Sequence, residues 1–323
     1  MTSPGRPTWP PNQGAAGRPS GADQLATPTV PLSPLEVQEI IRVTDRMRAS
    51  GHSLNSLDLA EFPASDACAG WGERVRRHLQ HRGTALVSGF PVAQLGLEEA
   101  SMAFWWAASA IGAPLLQNKE GARIDLVQNE ERTTVRGAKS NRELPFHSDF
   151  ANATPDAFGL LAVRQAKSGG ESLLADGRTV AAVVEAQEPA AAAVLREEFC
   201  FDRTGDVGPD QSAVIRHPVF LGHGEGVRVL YNRARIHRGH RHEGIPLTEA
   251  QSRALEVLDG VLSSPEHAVR TRMRPGDALF IDNSRMLHSR TAFVDWPERE
   301  RRRLLLRVWL RAGRTDDSVQ KGT

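Results

Sequence analysis

The sequence predicts a mainly β protein with flanking helices, built as a double-sheet jelly roll. Two features carry that expectation. In the second half of the chain, residues 213–215, 227–231, 269–272, 278–281 and 304–310 are short apolar runs separated by turn signals, the mark of many short strands. Helical segments are inserted among them, and a jelly roll tolerates such insertions while leaving a mouth that holds a metal and a ligand. At 323 residues the chain can bury a sizeable core, and nothing in it requires two domains.

Taken in order, residues 1–32 are rich in Pro, Gly, Ser, Thr and Ala and poor in large apolar side chains, so they cannot offset their own ordering entropy and read as a disordered tail. Ser33-Pro34 reads as an N-cap followed by a first-turn proline. Val37, Ile40, Ile41, Val43 and Met47 then recur at helical spacing. A second helix is expected over 69–80, ending before Gly83, followed by a strand over 84–87 closed by Gly89 and Pro91. Residues 97–111, with Met102, Phe104, Trp105 and Trp106 among alanines, have the composition of a buried helix. Residues 124–127 form a candidate strand and 133–142 a polar loop, of the kind that carries substrate contacts, though exposure alone also explains its polarity. An apolar strand over 157–163 leads to a Gly169-Gly170 turn and a second apolar run, and 180–198 is alanine-rich and helical, interrupted near Pro189. Thr248 opens a helix reaching 262 through Ala250, Leu255, Leu258 and Leu262. The expected organisation is a tail at 1–32, one domain at 33–312 and a flexible tail at 313–323.

Forty Lys and Arg against 39 Asp and Glu leave no broad basic field for nucleic acid or a membrane surface, so a small molecule is the expected partner. Only Cys68 and Cys200 are present, in no Cys-x-x-Cys pattern, which argues against a disulfide framework or a thiolate zinc site and fits a reduced cytoplasm. No apolar run approaches the roughly 18 residues of a membrane span, and the N-terminus lacks the hydrophobic region of a signal peptide. A homo-oligomer is compatible with all of this.

His147 and Asp149 are two residues apart, so on an extended strand both side chains leave the same face and can hold one metal. A second imidazole would complete the 2-His-1-carboxylate face that binds Fe(II) for oxygen chemistry. His223-Gly224-Glu225 is a rival pair, but the surrounding LGHGEG reads as a flexible turn, whereas His147 precedes the strand-like platform at 157–163. His237, His240 and His242 in IHRGHRHEG also invite a metal; the interspersed arginines would repel a cation, which favours a basic, solvated loop. The turn Arg274-Pro275-Gly276-Asp277 opens a strand that runs to Asp282-Asn283, placing His288 just beyond its end as a candidate third ligand. Arg303, Arg307 and Arg311 share one face of the following strand and Leu304, Leu306, Val308 and Leu310 the other. The arginine face is either a buried anion site or an exposed charged surface.

Phe146-His147-Ser148-Asp149, the GGES of Gly169 to Ser172, the PGD of Pro275 to Asp277, and the run from Asn283 through LHSRTAFVDWP to RRRLLLRVWL together resemble the taurine dioxygenase-like (TauD/TfdA) branch of the Fe(II)/2-oxoglutarate-dependent oxygenases. The likeness spans residues 83–311 and is strongest in the C-terminal block. It implies a cupin-like double-stranded β-helix with Fe(II) held by His147, Asp149 and His288. It further implies that the first arginine of an Arg-x-x-x-Arg pattern binds the distal carboxylate of 2-oxoglutarate. That role falls to Arg303, with Arg302 blurring the register, assisted by Ser172 where threonine is usual. Arg307 would then face an anionic group of the substrate. With O2 as second co-substrate, the implied reaction hydroxylates an unactivated C–H bond of a small anionic or amino-acid-like molecule, a specialised-metabolite intermediate among them, and forms succinate and CO2. Related halogenases lack the carboxylate ligand, so Asp149 favours hydroxylation; desaturation or cyclisation would depend on how the substrate lies. Two other classes share the fold: a non-catalytic jelly-roll sensor that binds metal and ligand without turnover, and a cupin-like metalloenzyme using no 2-oxo acid. Arg303 with Ser172 argues against the last, where a distal-carboxylate site has no purpose.

Overall fold

The computed structural model describes residues 27–312 apart from 119, 131–138, 151–153, 205 and 208–209. The expected tails at 1–26 and 313–323, and residues 133–138 of the expected polar loop, lie outside the described residues. β1 (Thr29–Pro31) pairs in parallel with β2 (Thr84–Ser88), Thr29 lying opposite Leu86. The end of the stretch read as a disordered tail is therefore a strand. Its single large apolar residue, Val30, is buried, and the neighbouring strand supplies the hydrogen bonds that local composition could not foretell.

Helix α1 (Pro34–Ala49) begins as its cap predicts: Ser33 Oγ accepts from Glu36 N, and Glu36 Oε2 accepts from Ser33 N at 2.7 Å. Arg74, on α2 (Asp66–Arg82), donates to Glu36 Oε1 at 3.0 Å and ties the two helices together. Gly83 ends α2 in the left-handed region at φ 73°, where a Cβ would also lie 2.6 Å from Met286 Sδ. In α3 (Leu97–Ala108) the aromatic cluster is buried as expected, and Trp106 Nε1 donates to Phe62 O at 2.6 Å.

The chain continues through β3 (Ala113–Leu115), β4 (Asp125–Val127), β5 (Leu144–His147), β6 (Ala157–Arg164), β7 (Ser168–Gly169) and β8 (Ser172–Asp176). Helices α4 (Gly177–Gln187) and α5 (Pro189–Val194) follow, divided at Pro189, then β9 (Glu198–Asp202), β10 (Val214–Pro218), β11 (Phe220–Leu221) and β12 (Arg228–Val229). After α6 (Arg233–Glu243) and α7 (Glu249–Ser263) come β13 (Val269–Thr271), β14 (Ala278–Asp282), β15 (Met286–Arg290), β16 (Phe293–Val294) and β17 (Leu304–Arg311). The larger sheet has the order β1-β2-β14-β6-β17-β3, with β4 also paired to β17; the smaller is β13-β8-β15-β5. The period-2 alternation of strands sorts the side chains into layers. Ala278 and Phe280 of β14, with Leu306, Val308 and Leu310 of β17, pack against the buried faces of α1, α2 and α3. Their neighbours Leu279, Ile281, Leu305 and Trp309 form an inner core with Leu174 of β8 and Met286 of β15. Ala175 and Leu287 point the other way, into the core built on α4, α5, α6 and α7. The order is helices, large sheet, small sheet, helices. Helices occupy at least as much of the described chain as strands, so the molecule is mixed helix and sheet rather than mainly β.

Three local expectations change. IHRGHRHEG is not a solvated loop but lies in α6, capped by Asn232, whose side chain accepts from Arg235 N, and by Gly244 in the left-handed region. Three of the four arginines of α6 are neutralised by acids distant in sequence: Arg233 by Asp259 (2.7 Å), Arg235 by Asp206 (2.7 Å) and Arg238 by Asp202 (2.7 Å). The helix expected to reach residue 198 ends at Val194, and Glu198–Asp202 is a strand whose Phe199 and Phe201 are buried. His288 lies within β15 rather than beyond a strand end. No helix among the described residues is long and apolar enough to cross a membrane.

Candidate active site

Strand parity places the site. Met286 of β15 faces the inner core, so His288 and Arg290 leave the same face; Leu305 and Trp309 of β17 face inward, so Arg307 between them does too. β5 is the neighbour of β15, with His147 opposite His288. Asp149 follows β5 in a segment clamped by Asn283, whose Oδ1 accepts from Asp149 N at 2.7 Å and whose Nδ2 donates to Asp149 O at 2.8 Å and Pro155 O at 3.1 Å. Ser148, between the two candidate ligands, donates its N–H to Tyr231 O and accepts Tyr231 N–H at its Oγ.

These supports bring His147, Asp149 and His288 together, with one donor atom from each lying within 4.8 Å of the others. His147 Nε2 and His288 Nε2 each lie 3.7 Å from Asp149 Oδ1. Among the described residues this is the one group of three or more His, Cys, Asp or Glu side chains placed to hold an ion. His147 Nδ1 lies 2.9 Å from Pro145 O, so it carries the ring proton and leaves Nε2 with its lone pair toward the cluster. Burial, reinforced by the neighbouring His288, pushes the His147 pKa down to about 3 and keeps the ring neutral, the form that binds metals. Burial pushes the Asp149 carboxyl up, but Arg307, His288 and His147 outweigh it and hold the group well below the usual carboxylate range. Asp149 Oδ2 accepts from Arg307 Nη1 at 2.9 Å and from Trp309 Nε1 at 2.8 Å, which leaves Oδ1 free to face the histidines.

Arg303 lies just before β17, is 2 % exposed, and its Nε and Nη1 have no hydrogen-bond partner. Its backbone N–H is held by Asp295 Oδ1 at 2.8 Å. Burial and the adjacent Arg290 push its pKa down to about 9, against the pull of Asp295. A buried guanidinium without acceptors costs more than a solvated one, so this is a place for an anion rather than an exposed charged face. Gly170, at φ 73°, lets the Gly169-Gly170 turn pass over Arg303: a Cβ there would lie 3.1 Å from Arg303 Nε. Ser172 is buried on β8, directly opposite Arg290 of β15. Arg302 is only half-buried and donates to the carbonyls of Trp296 and Pro297, both at 3.3 Å. Arg307 is already engaged, donating to Asp149, to Asp125 Oδ2 at 3.0 Å and to Gln117 Oε1 at 3.3 Å.

The rival pairs fall away from this centre. His223 and Glu225 are exposed around a short turn, with Glu225 3.7 Å from Arg178. His240 is buried and accepts from Cys200 N at 3.1 Å, with its other ring nitrogen 3.0 Å from Ile245 O, which makes it a core histidine pinning α6 to β9. Sequence reading missed Trp309, Asn283 and Arg290. Trp309 is two residues from Arg307 and Arg290 two from His288, so strand parity was the available signal for both.

The family model described as "Taurine catabolism dioxygenase TauD, TfdA family" matches residues 44–309 of the chain. FR-33289 synthase of Streptomyces rubellomurinus (strain ATCC 31215) is 26% identical over 280 residues, covering 84% of this chain and 81% of that protein. The gamma-butyrobetaine dioxygenase of Homo sapiens is 30% identical over 165 residues, covering 48% of this chain and 41% of that protein. Among solved structures, asparagine oxygenase in complex with Fe(II), 2S,3S-3-hydroxyasparagine and succinate superposes with a TM-score of 0.69 at 19% identity, covering 87% of this chain and 93% of that one. The non-heme iron oxygenase OrfP in complex with Fe and alpha-ketoglutaric acid gives 0.65 at 17%, covering 88% and 94%.

Proposed function

Because the chain belongs to the taurine catabolism dioxygenase TauD, TfdA family, we propose that His147, Asp149 and His288 hold iron, that Arg303 anchors 2-oxoglutarate, and that the enzyme hydroxylates a small amino-acid-like substrate. The chain is a non-haem Fe(II)/2-oxoglutarate-dependent dioxygenase. The two facing sheets are read as the double-stranded β-helix of that family, with the iron between them.

The residues fit both groups on their own chemistry. Two imidazoles and one carboxylate oxygen form the facial set that suits Fe(II) and leaves positions open for other ligands. The orphaned buried donors of Arg303 suit a carboxylate, which a guanidinium binds through two parallel N–H bonds. When bound, iron with 2-oxoglutarate and O2 supplies the oxidant that converts a C–H bond to an alcohol while 2-oxoglutarate becomes succinate and CO2. What the chain contributes is placement. Arg307 and Trp309 hold Asp149 so that one oxygen faces the metal. Pro145 O fixes the His147 tautomer. Phe158, whose ring centroid lies 4.7 Å from that of His288, closes one side against water. Any anionic substrate group that reaches Arg307 must share a guanidinium already donating to Asp149 and Asp125.

The amino-acid-like substrate class rests on the relatives: asparagine oxygenase is named for an amino acid and holds hydroxyasparagine, and OrfP is seen with (3S)-hydroxy-L-Arg. FR-33289 synthase makes specialised metabolism the fitting setting. The observation that carries the reading is the convergence of three donor atoms from β5, its following segment and β15 within 4.8 Å. The test is anaerobic addition of Fe(II) and 2-oxoglutarate, followed by the visible charge-transfer band. The native protein develops the band, His147→Ala and His288→Ala lose it, and amino-acid substrates then yield succinate in step with hydroxylated product. A band that survives loss of His147 would overturn the assignment.

A further inference from the structure

Arg303 is not the only buried arginine with unused donors. Arg290, at the end of β15, is 5 % exposed, and its Nε and Nη1 have no hydrogen-bond partner. Its remaining terminal nitrogen, Nη2, donates to two backbone carbonyls, Ser140 O at 2.8 Å and Arg142 O. Among the described residues no carboxylate forms an ion pair with it. The two guanidiniums flank one ring: Arg290 Cζ lies 4.9 Å and Arg303 Cζ 5.1 Å from the centroid of Phe293. Arg290 also lies opposite Ser172 across the β8–β15 pairing. The same small region therefore holds two buried cations, four guanidinium nitrogens without acceptors, and the hydroxyl of Ser172.

Charge counting makes Arg290 more than a bystander. Asp295 is the carboxylate beside Arg303, its Oδ1 held by the Arg303 backbone and its Oδ2 buried without a partner. Asp295 thus offsets part of the positive charge, although among the described residues no ion pair joins the two side chains, and Arg303 beside Asp295 offers a carboxylate hydrogen-bond donors with reduced net charge. Arg290 restores one unit. Two guanidiniums against Asp295 and one incoming carboxylate come to neutrality; without the ligand, one buried positive charge is uncompensated.

We propose that Arg290 is a second arginine of the co-substrate site, donating together with Arg303 to the distal carboxylate of 2-oxoglutarate and supplying the positive charge that Asp295 draws from Arg303. This rests on the reading that Arg303 receives that carboxylate. Arg290 also holds the backbone of residues 140–142, so a purely structural role is the alternative, and the two differ in what they do to an analogue lacking the distal carboxylate. 2-Oxopentanoate carries the same 2-oxo acid end and ends in a methyl group.

The experiment titrates 2-oxoglutarate and 2-oxopentanoate separately into the anaerobic Fe(II) enzyme and reads the chelate band, for the native protein and for Arg290→Leu and Arg290→Lys. A charge-assisted contact removed from the distal carboxylate raises the dissociation constant of 2-oxoglutarate about tenfold or more in Arg290→Leu. The constant for 2-oxopentanoate then changes less than about twofold, because that acid never used the contact. Arg290→Lys, which keeps the charge and serves if the leucine variant does not fold, shows a smaller loss with the same selectivity. Equal weakening of both acids, or an unchanged constant for 2-oxoglutarate, would overturn the proposal and leave Arg290 a support for the 140–142 backbone. Absence of the band in the native enzyme with either acid would overturn the function itself and this inference with it.

Discussion

The two carboxylate oxygens of Asp149 are not equivalent, since Oδ2 is taken by Arg307 and Trp309 while Oδ1 is turned toward the two imidazoles. A carboxylate free to rotate would spend part of its time presenting neither oxygen correctly, and restoring the geometry on binding would reduce metal affinity. Trp309→Phe keeps an aromatic ring in the inner core but removes the indole N–H together with part of the buried ring volume. Supporting hydrogen bonds of this kind are worth roughly 10- to 100-fold in metal affinity, so the variant should bind Fe(II) about tenfold more weakly, in addition to a loss of stability on the order of 1–2 kcal/mol from the volume removed from the core. Anaerobic Fe(II) titration checks this; unchanged affinity would mean that Arg307 alone orients the carboxylate. The candidate pair His147 and Asp149 was legible in the sequence because His-x-Asp spacing is local and strand parity is simple, whereas His288 joined it through the resemblance to the family. For Trp309 and Arg290 strand parity gave the face but not the role, because an aromatic or an arginine in a strand looks the same whether its polar atoms meet a ligand or solvent.

At the scale of elements, what could be read was what is encoded within a few residues. The Ser33 capping box, the Thr248 cap and the break at Pro189 each act over one turn, and each element starts or divides where the sequence places it. α6 and β9 were misread for the opposite reason. The apolar stripe of α6 is thin, with Ile236, Gly239 and His240 buried, and its charge is balanced by Asp202, Asp206 and Asp259, none of them local. β15 escaped because both its faces are buried and the inward one carries site residues instead of an apolar alternation. The α2–β2 corner shows how local coding and tertiary packing combine. Gly83 supplies the left-handed turn and also leaves room for Met286, two residues ahead of His288 on β15. Gly83→Ala should therefore cost about 1–2 kcal/mol for the backbone alone and more where Met286 must move. Urea unfolding of the variant measures it; a loss below about 0.5 kcal/mol would mean the corner relaxes freely.

Across the whole molecule, the inner space between the two sheets is not uniformly apolar. One part is sealed by Leu174, Leu279, Ile281, Leu305 and Trp309; another carries His147, Asp149, His288, Arg290 and Arg303, most of them buried and several with unsatisfied donors. The ligand-free fold carries this polar cluster at a cost that the surrounding core and helix layers offset. On the proposed assignment, iron and 2-oxoglutarate would relieve that cost and would bind only the folded chain, because His147 and His288 meet only when β5 pairs with β15. Loading should therefore stabilise the protein as a unit. At a hundredfold excess over the dissociation constant each ligand contributes about 2.7 kcal/mol, which corresponds to several degrees in the unfolding temperature of a domain this size. Anaerobic calorimetry should show a rise with Fe(II), a further rise when 2-oxoglutarate is added, and no rise with either ligand in His288→Ala. Stabilisation by 2-oxoglutarate that persists in His288→Ala would mean that the arginine region binds the acid without the metal, and would separate the anion site from the iron site as an independently folded receptor for carboxylate.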